Sequence, residues 1–341
     1  MGELDENDAA IASGLAEWFR ARRRRDDVSL GEFDRPSGGY SSETVFFDCT
    51  WVADGAPRRE PLVLRTAPPG PGTFGRYDLA AQFEAQGAAR SRGVPVAEPI
   101  LEPDPRWIGT PFIVMPRIEG HVVDGITHGD RWLRQQTDGA RHELYQNLLD
   151  AVTRIHRSDT DTCPSVPRRD NAAELDFWED YLQWSSDGRP VGILVEALGW
   201  CRRHRPVTDP EPVLLWGDVR FENVVFGDDL GLRAVLDWDM CSIGAAEHDL
   251  AWLTSLDSTM ERLFGSRVPG FPGREETIGL FEGLAGRPVR DFGWYETLAM
   301  VKSTAIMTRI GYLRRDAGEP PMLPIDDNPV LDLVRERLGP P

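Results

Sequence analysis

The sequence predicts an α+β fold of two lobes, a small strand-rich one followed by a larger, mainly helical one. Three observations predict it. The chain has 341 residues, long for a single hydrophobic core. Strand and turn signals crowd into its first third, with one helix inserted among them. From residue 120 onward apolar residues recur at helical spacing, interrupted by two short strand-like runs. Residues 1–27 are therefore expected to form an N-terminal helix, 28–119 the strand-rich lobe and 120–341 the helical lobe. A single crossing near Met115 to Gly120 joins the lobes.

In "IASGLAEWF", Ile11, Leu15, Trp18 and Phe19 share one helical face. The basic run "RARRRR", residues 20–25, then reads as a solvated last turn, where cations suit the helix dipole. Residues 28–66 read as strand, turn, strand, with a Gly-Gly and serine turn before the β-prone Thr44 to Phe47. A short strand, Leu62 to Arg65, is stopped by Pro68 and Pro69. "YDLAAQFEAQGAARSR" suits a helix ending at Gly93. Two further strands follow around a proline-rich turn. In the second lobe Leu144, Leu148, Val152 and Ile155 mark one helix, and "ELDFWEDYLQWSS" and "GILVEALGWCRRH" two more. Helices over 247–264, 274–285 and 294–314 close the pattern, followed by a proline-rich tail.

Composition narrows the function. The formal net charge of −18 argues against nucleic acid, whose binders neutralise phosphates with clustered Lys and Arg. No apolar run reaches the roughly 18 residues of a membrane span. The acidic start "MGELDENDAA" does not look like a secretory signal, so a cytoplasmic location is expected. Cys49, Cys163, Cys201 and Cys241 show neither C-x-x-C pairing nor zinc-finger spacing. Lys302 is the sole lysine, which restricts mechanisms that need one.

The chemistry concentrates in "LLWGDVRFENVVF", residues 214–226. Asp218 and Asn223 stand five residues apart between two apolar runs, and Asp237 in "VLDWD" follows fourteen residues later. Asx residues shaping a hairpin could explain the first pair alone. The three together match a kinase-type phosphoryl-transfer site: a catalytic acid, an amide five residues on and a later acid, both holding magnesium. Magnesium needs hard oxygen ligands to bring it to an anionic phosphate tail. A separate carboxylate must orient and deprotonate the attacking hydroxyl.

On these residues the chain resembles the aminoglycoside phosphotransferase family, relatives of the eukaryotic protein kinases, from about residue 34 to about 312. "WGDVRFENVVF" resembles that family's catalytic loop, with Trp216 where His is usual. "AVLDWDMCSIGAAEHDLAWL" resembles its metal loop and the helix start beyond. The resemblance implies Asp218 as the base, Asn223 and Asp237 as magnesium ligands, and Asp249 as a structural acid bracing the catalytic loop. "SGGYSSET" is similar to the nucleotide-positioning loop, which implies roles for Gly38, Gly39, Tyr40, Ser41 and Ser42. "FIVMPRIEG" resembles the hinge that grips the adenine, implying Met115, Pro116 and Ile118. Arg65 falls where the family has a phosphate-pairing Lys, and Gln82 where it has the partner Glu, with Glu84 two residues on. In this the chain looks like the branch that resembles the kinase-like domain fused to some acyl-CoA dehydrogenases, where Arg at this site would be no anomaly.

The implied activity is transfer of phosphate from ATP or GTP, with Mg2+, to the hydroxyl of a small molecule such as an antibiotic, natural product or hydroxylated metabolite. The alternative is a catalytically silent, nucleotide-binding regulatory protein, which Arg65 and Gln82 would suit. A protein kinase is disfavoured, because no Ala-Pro-Glu segment follows Asp237. Asp239, Trp178 and Lys302 are candidates for the acceptor side. Their plainer readings are loop solvation, core packing in the stripe Trp178, Tyr181 and Trp184, and an exposed helix lysine. His156, on an apolar helix face, reads as a satisfied core histidine. Aromatic and aliphatic residues among Arg262, Arg274, Lys302 and Arg309 suggest an uncharged or anionic acceptor with an apolar part.

Overall fold

The computed structural model describes residues 6–35, 42–123 and 126–339. Gly38, Gly39, Tyr40 and Ser41 lie outside the described residues. The chain divides into two compact units, one of residues Met1–Phe83 with Ala97–Ile118, the other of Glu84–Val96 with Glu119–Pro341.

The first unit is built on one antiparallel sheet. Its strands are β1 (Ser29–Leu30), β2 (Glu43–Ala53), β3 (Ala56–Thr66), β4 (Ile100–Glu102) and β5 (Phe112–Pro116), in the order β1-β2-β3-β5-β4. β2 and β3 form a hairpin around Asp54-Gly55, both at positive φ (53° and 74°). Asp-Gly suits that turn because its backbone twist matches the strands. Alternation sends Val45, Phe47, Cys49, Leu62 and Leu64 into one core, as a period of two requires. Helix α1 (Glu6–Arg23) covers this face with Leu15, Trp18 and Phe19.

The basic run ending α1 is not merely solvated, contrary to the sequence expectation. The Arg23 guanidinium lies 4.1 Å from the Trp51 ring centroid and pairs with Glu60. Arg20 donates to the Val28 carbonyl at 3.1 Å, and Arg25 pairs with Asp27 at 2.8 Å. Arginine's flat, forked head lets it stack and donate together, so the run fastens α1 to the sheet.

Helix α2 (Leu79–Ser91) starts in the first unit and, from Glu84 onward, belongs to the second. The second unit adds α3 (Arg131–Gln135), α4 (Asp138–His156), α5 (Asn171–Ser185), α6 (Gly192–Arg203), α7 (Glu247–Phe264), α8 (Arg274–Ala285), α9 (Phe292–Asp316) and α10 (Pro329–Leu338). It also holds five short strands: β6 (His121–Val122), β7 (Val213–Leu215), β8 (Val224–Phe226), β9 (Leu232–Val235) and β10 (Ser242–Gly244). The tail read as proline-rich is partly helical. Pro329 sits in the first turn of α10, where its missing N–H costs nothing, and the Asn328 side chain caps Val330 and Leu331. No described helix is long and apolar enough to cross a membrane.

Candidate active site

Two loops meet because the strands flanking them pair at both ends. β7 leads into the loop carrying Asp218, and β8 leads out after a single 3-10 turn at Phe221–Asn223. β9 leads into the loop carrying Asp237, and β10 leads out. β7 pairs with β10, and β8 pairs with β9, in antiparallel register. The two loops are thus the open middle of one interrupted ladder. The backbone N–H of Leu236 donates to the Asn223 carbonyl at 2.8 Å and draws the loops together beside β8. On the other side Gly217 sits at φ +92°, and a Cβ there would lie 2.3 Å from the Met240 carbonyl oxygen. Only glycine allows both that conformation and that approach.

Asp218 is held at both carboxylate oxygens. Asn223 Nδ2 donates to Oδ2 at 2.7 Å and to the Asp218 carbonyl at 3.1 Å. Trp252 Nε1 donates to Oδ1 at 2.9 Å. Arg220 Nε lies 3.2 Å from Oδ2, an ion pair whose alignment falls short of a hydrogen bond. The Asp218 side chain is 14% exposed and that of Arg220 43%, so the arginine reaches solvent from the same spot. Burial pushes the Asp218 carboxyl above its ordinary range; Arg220 pulls it back and Asp237 pushes it further up. A carboxylate made more basic yet still partly exposed can accept a proton from a bound hydroxyl.

Helix α7 supports this loop from below. Asp249, 1% exposed, accepts from the backbone N–H of Trp216 at 3.0 Å and of Gly217 at 2.8 Å. His156 Nε2 lies 2.9 Å from Asp249 Oδ2 on the other side. Residues three apart share a helix face, so Asp249 and Trp252 together hold the consecutive residues 216, 217 and 218.

Trp216, fully buried, turns its indole the other way. Its Nε1 donates to the carbonyls of Leu236 and Asp237, both at 2.9 Å. Asp237 has φ 53°, in the left-handed region, which costs a non-glycine residue about 1 kcal/mol. The Trp216 bond and the Leu236 to Asn223 bond fix the backbone on which that conformation rests. Another brace comes from Glu222, whose carboxylate accepts from the N–H and hydroxyl of Thr127.

The donor set fits magnesium. Asn223 spends its amide nitrogen on Asp218, which leaves its amide oxygen for a cation. Asp237 supplies a carboxylate from the adjoining loop. Two such oxygens are what magnesium usually takes from a protein, its shell being completed by phosphate and water. Asp239 lies in the same loop, its backbone N–H 3.4 Å from Asp237 Oδ1.

In the first unit Arg65 lies on β3, paired with Thr44 on β2 and with Ile113 on β5. Gln82 is buried on α2. In the second unit Glu84 directs its carboxylate to Ser165, accepting from the N–H at 2.7 Å and the hydroxyl at 2.8 Å. Ser42 is buried just before β2. Met115 is buried and Pro116 half-buried at the end of β5, with half-buried Ile118 two residues on.

Two acceptor candidates turn out to be interior. Lys302 is 6% exposed, against the expectation of an exposed helix lysine. Its Nζ donates to Glu174 Oε1 at 2.8 Å and lies 5.1 Å from the Trp178 ring centroid. Trp178 is buried too, and its indole N–H donates to the same carboxylate oxygen at 2.9 Å. Burial works to raise the Glu174 carboxyl, but Lys302 and Arg169 hold it well below its ordinary range. Arg262 pairs with Glu336, and Arg274 with Glu296. Lys302, Arg262 and Arg274 are thus each held on a carboxylate.

Arg220 and Trp252 were missed as site residues. Arg220 stood inside the quoted loop, two residues from the acid. Trp252 could have been found from its spacing of three beyond Asp249.

Comparison with known proteins shows the family and the fold. The sequence model of the phosphotransferase enzyme family (APH) matches residues 32–274, and the chain belongs to that family. "Acyl-CoA dehydrogenase family member 11" is 25% identical over 232 residues in Homo sapiens and 27% identical over 202 residues in Gallus gallus. These alignments cover 64% and 56% of this chain but only 29% and 25% of the relatives, so the chain spans less than a third of their length. Among solved structures, macrolide 2′-phosphotransferase MphH from Brachybacterium faecium superposes with a TM-score of 0.56 at 16% identity, covering 96% of this chain and 99% of that one. A ternary complex of aminoglycoside phosphotransferase APH(4)-Ia with AMP-PNP and hygromycin B gives 0.56 at 13% identity, covering 96% and 99%. The fold is the kinase-like one of these enzymes.

Proposed function

We propose that this phosphotransferase-family chain transfers the terminal phosphate of ATP, or GTP, to a hydroxyl of a small molecule, with Mg2+. One observation carries the reading: Asp218, Asn223 and Asp237 converge in two loops whose flanking strands pair at both ends. Asp218 aligns the acceptor hydroxyl and takes its proton as the oxygen attacks phosphorus. Asn223 and Asp237 hold the magnesium, which when bound neutralises phosphate charge. Arg65 meets the nucleotide phosphates, its planar fork taking the place of the family's usual Lys. Met115, Pro116 and Ile118 follow the hinge pattern for the base, and Gly38 to Ser42 the pattern for the phosphate loop.

We assign the acceptor side to the helices of the second unit. The AMP-PNP and hygromycin B in the APH(4)-Ia complex support a nucleotide and a second small molecule as the substrate classes. ATP dependence fits a cytoplasmic location. The decisive assay is ADP release that requires both magnesium and an added alcohol. Nucleotide binding without acceptor-dependent ADP release would favour the silent, regulatory reading instead.

A further inference from the structure

We infer that Trp252 is a positioning residue for the catalytic carboxylate, clamped from behind by the chain's sole lysine. The inference rests on the kinase reading above and extends it to residues outside both loops. The two oxygens of Asp218 stand in unequal surroundings. Oδ2 accepts from Asn223 Nδ2 at 2.7 Å and has the Arg220 guanidinium beside it, Nε at 3.2 Å without a hydrogen bond, whereas among the described residues Oδ1 accepts from Trp252 Nε1, at 2.9 Å. An ionised carboxylate oxygen offers about two lone-pair directions. With the Arg220 guanidinium crowding Oδ2, Oδ1 is the oxygen more open to the acceptor's proton, and the indole N–H fixes which of its two directions is taken.

Such a donor must not swing, and α9 prevents it. Lys302 Nζ lies 5.9 Å from the Trp252 ring centroid and 5.1 Å from that of Trp178, between two aromatic faces that attract a cation. Its own charge is held by Glu174, which also takes Arg169 Nε at 2.6 Å and the Trp178 indole at 2.9 Å. All of Trp252, Trp178, Lys302 and Glu174 are at most 6% exposed. The buried lysine thus has a use that sequence could not assign: it is a rigid backing for the indole that orients Asp218. The chain of contacts runs from Asp218 through Trp252 to Lys302 and Glu174, linking the catalytic loop to α7, α9 and α5.

The test pairs kinetics with a signature independent of turnover. Trp252→Phe keeps a ring against Lys302 but removes the N–H. We expect its kcat to fall about ten- to a hundred-fold, as small misplacements of a reacting group do, while the KM for nucleotide and for acceptor stays within about three-fold. In 15N-labelled protein the indole resonance that vanishes in Trp252→Phe identifies Trp252 among the eleven tryptophans. That same resonance should be among the most shifted in Asp218→Ala. An unmoved resonance, or a Trp252→Phe kcat within two-fold of wild type, would overturn this inference alone and leave the kinase reading standing. A wild-type protein that phosphorylates no alcohol would overturn both, even if the resonance moved.

Discussion

Asparagine has the shape of Asp218 and keeps much of the local packing, but it loses the proton acceptor and turns an NH2 against one of the two N–H donors, Asn223 or Trp252. Asp218→Asn is expected to cut turnover by about a hundred- to ten-thousand-fold and to leave nucleotide affinity within a few-fold, as titration calorimetry would show. Asp237→Ala should abolish most of the magnesium dependence of nucleotide binding. Asn223→Ala should weaken it less, because the amide carries no charge; equal magnesium dependence in wild type and Asp237→Ala would remove Asp237 from the metal site. These acids were legible in the sequence because their spacing is unusual between apolar runs. The burial of Lys302 was not. A lone lysine reads as exposed by default, and only the packed position of Glu174, 128 residues away in sequence, shows why it can be interior.

At the scale of elements, the Asp218 loop depends on α7 as much as on its own strands. Asp249→Ala would leave the N–H groups of Trp216 and Gly217 and the ring of His156 without their shared acceptor. Loss of one partner of a buried charged hydrogen bond costs about 1–3 kcal/mol per group left unmade, so chemical denaturation should show a loss of at least a few kcal/mol. Asn328→Ala is a milder test, since a lost N-cap costs about 0.5–2 kcal/mol and α10 is capped by that side chain alone. The long helices were legible from apolar spacing. β6 and β10, two and three residues long, are too short to display a period of two. α10 was hidden because its first-turn proline also reads as a breaker. α9 has buried residues around most of its circumference, including Glu296, Lys302, Thr308 and Arg309, so no apolar stripe marks which way it faces.

Across the whole molecule, buried titratable groups make stability depend on pH in opposing senses. Burial, and then Lys302, lower His248 from 6.5 to about 4. Below pH 6.5 the unfolded chain takes up a proton that the folded chain refuses until about pH 4, so this stability is present above 6.5 and lost as pH falls through 4. Burial raises Asp257 from 3.8 to about 6. The folded chain then keeps a proton the unfolded chain has released, so its contribution is full below 3.8 and lost as pH rises through 6. Replacing His248 by Gln isolates the first effect: between pH 7 and pH 4 wild type should lose on the order of 2 kcal/mol more stability than the variant. A parallel pH dependence in the two proteins would mean that His248 titrates normally. The formal net charge of −18 adds a long-range field that attracts cationic molecules but is screened by salt, so it bears on encounter and not on the chemistry. The chemistry is read most directly by 31P NMR of the protein incubated with Mg-ATP and a panel of apolar and polar alcohols. A phosphate-monoester signal is expected with at least one hydroxylated acceptor in wild type and none with Asp218→Asn. Monoester formed equally by both proteins, or by neither while both bind Mg-ATP, would contradict the assignment of Asp218 as the base of a phosphotransferase.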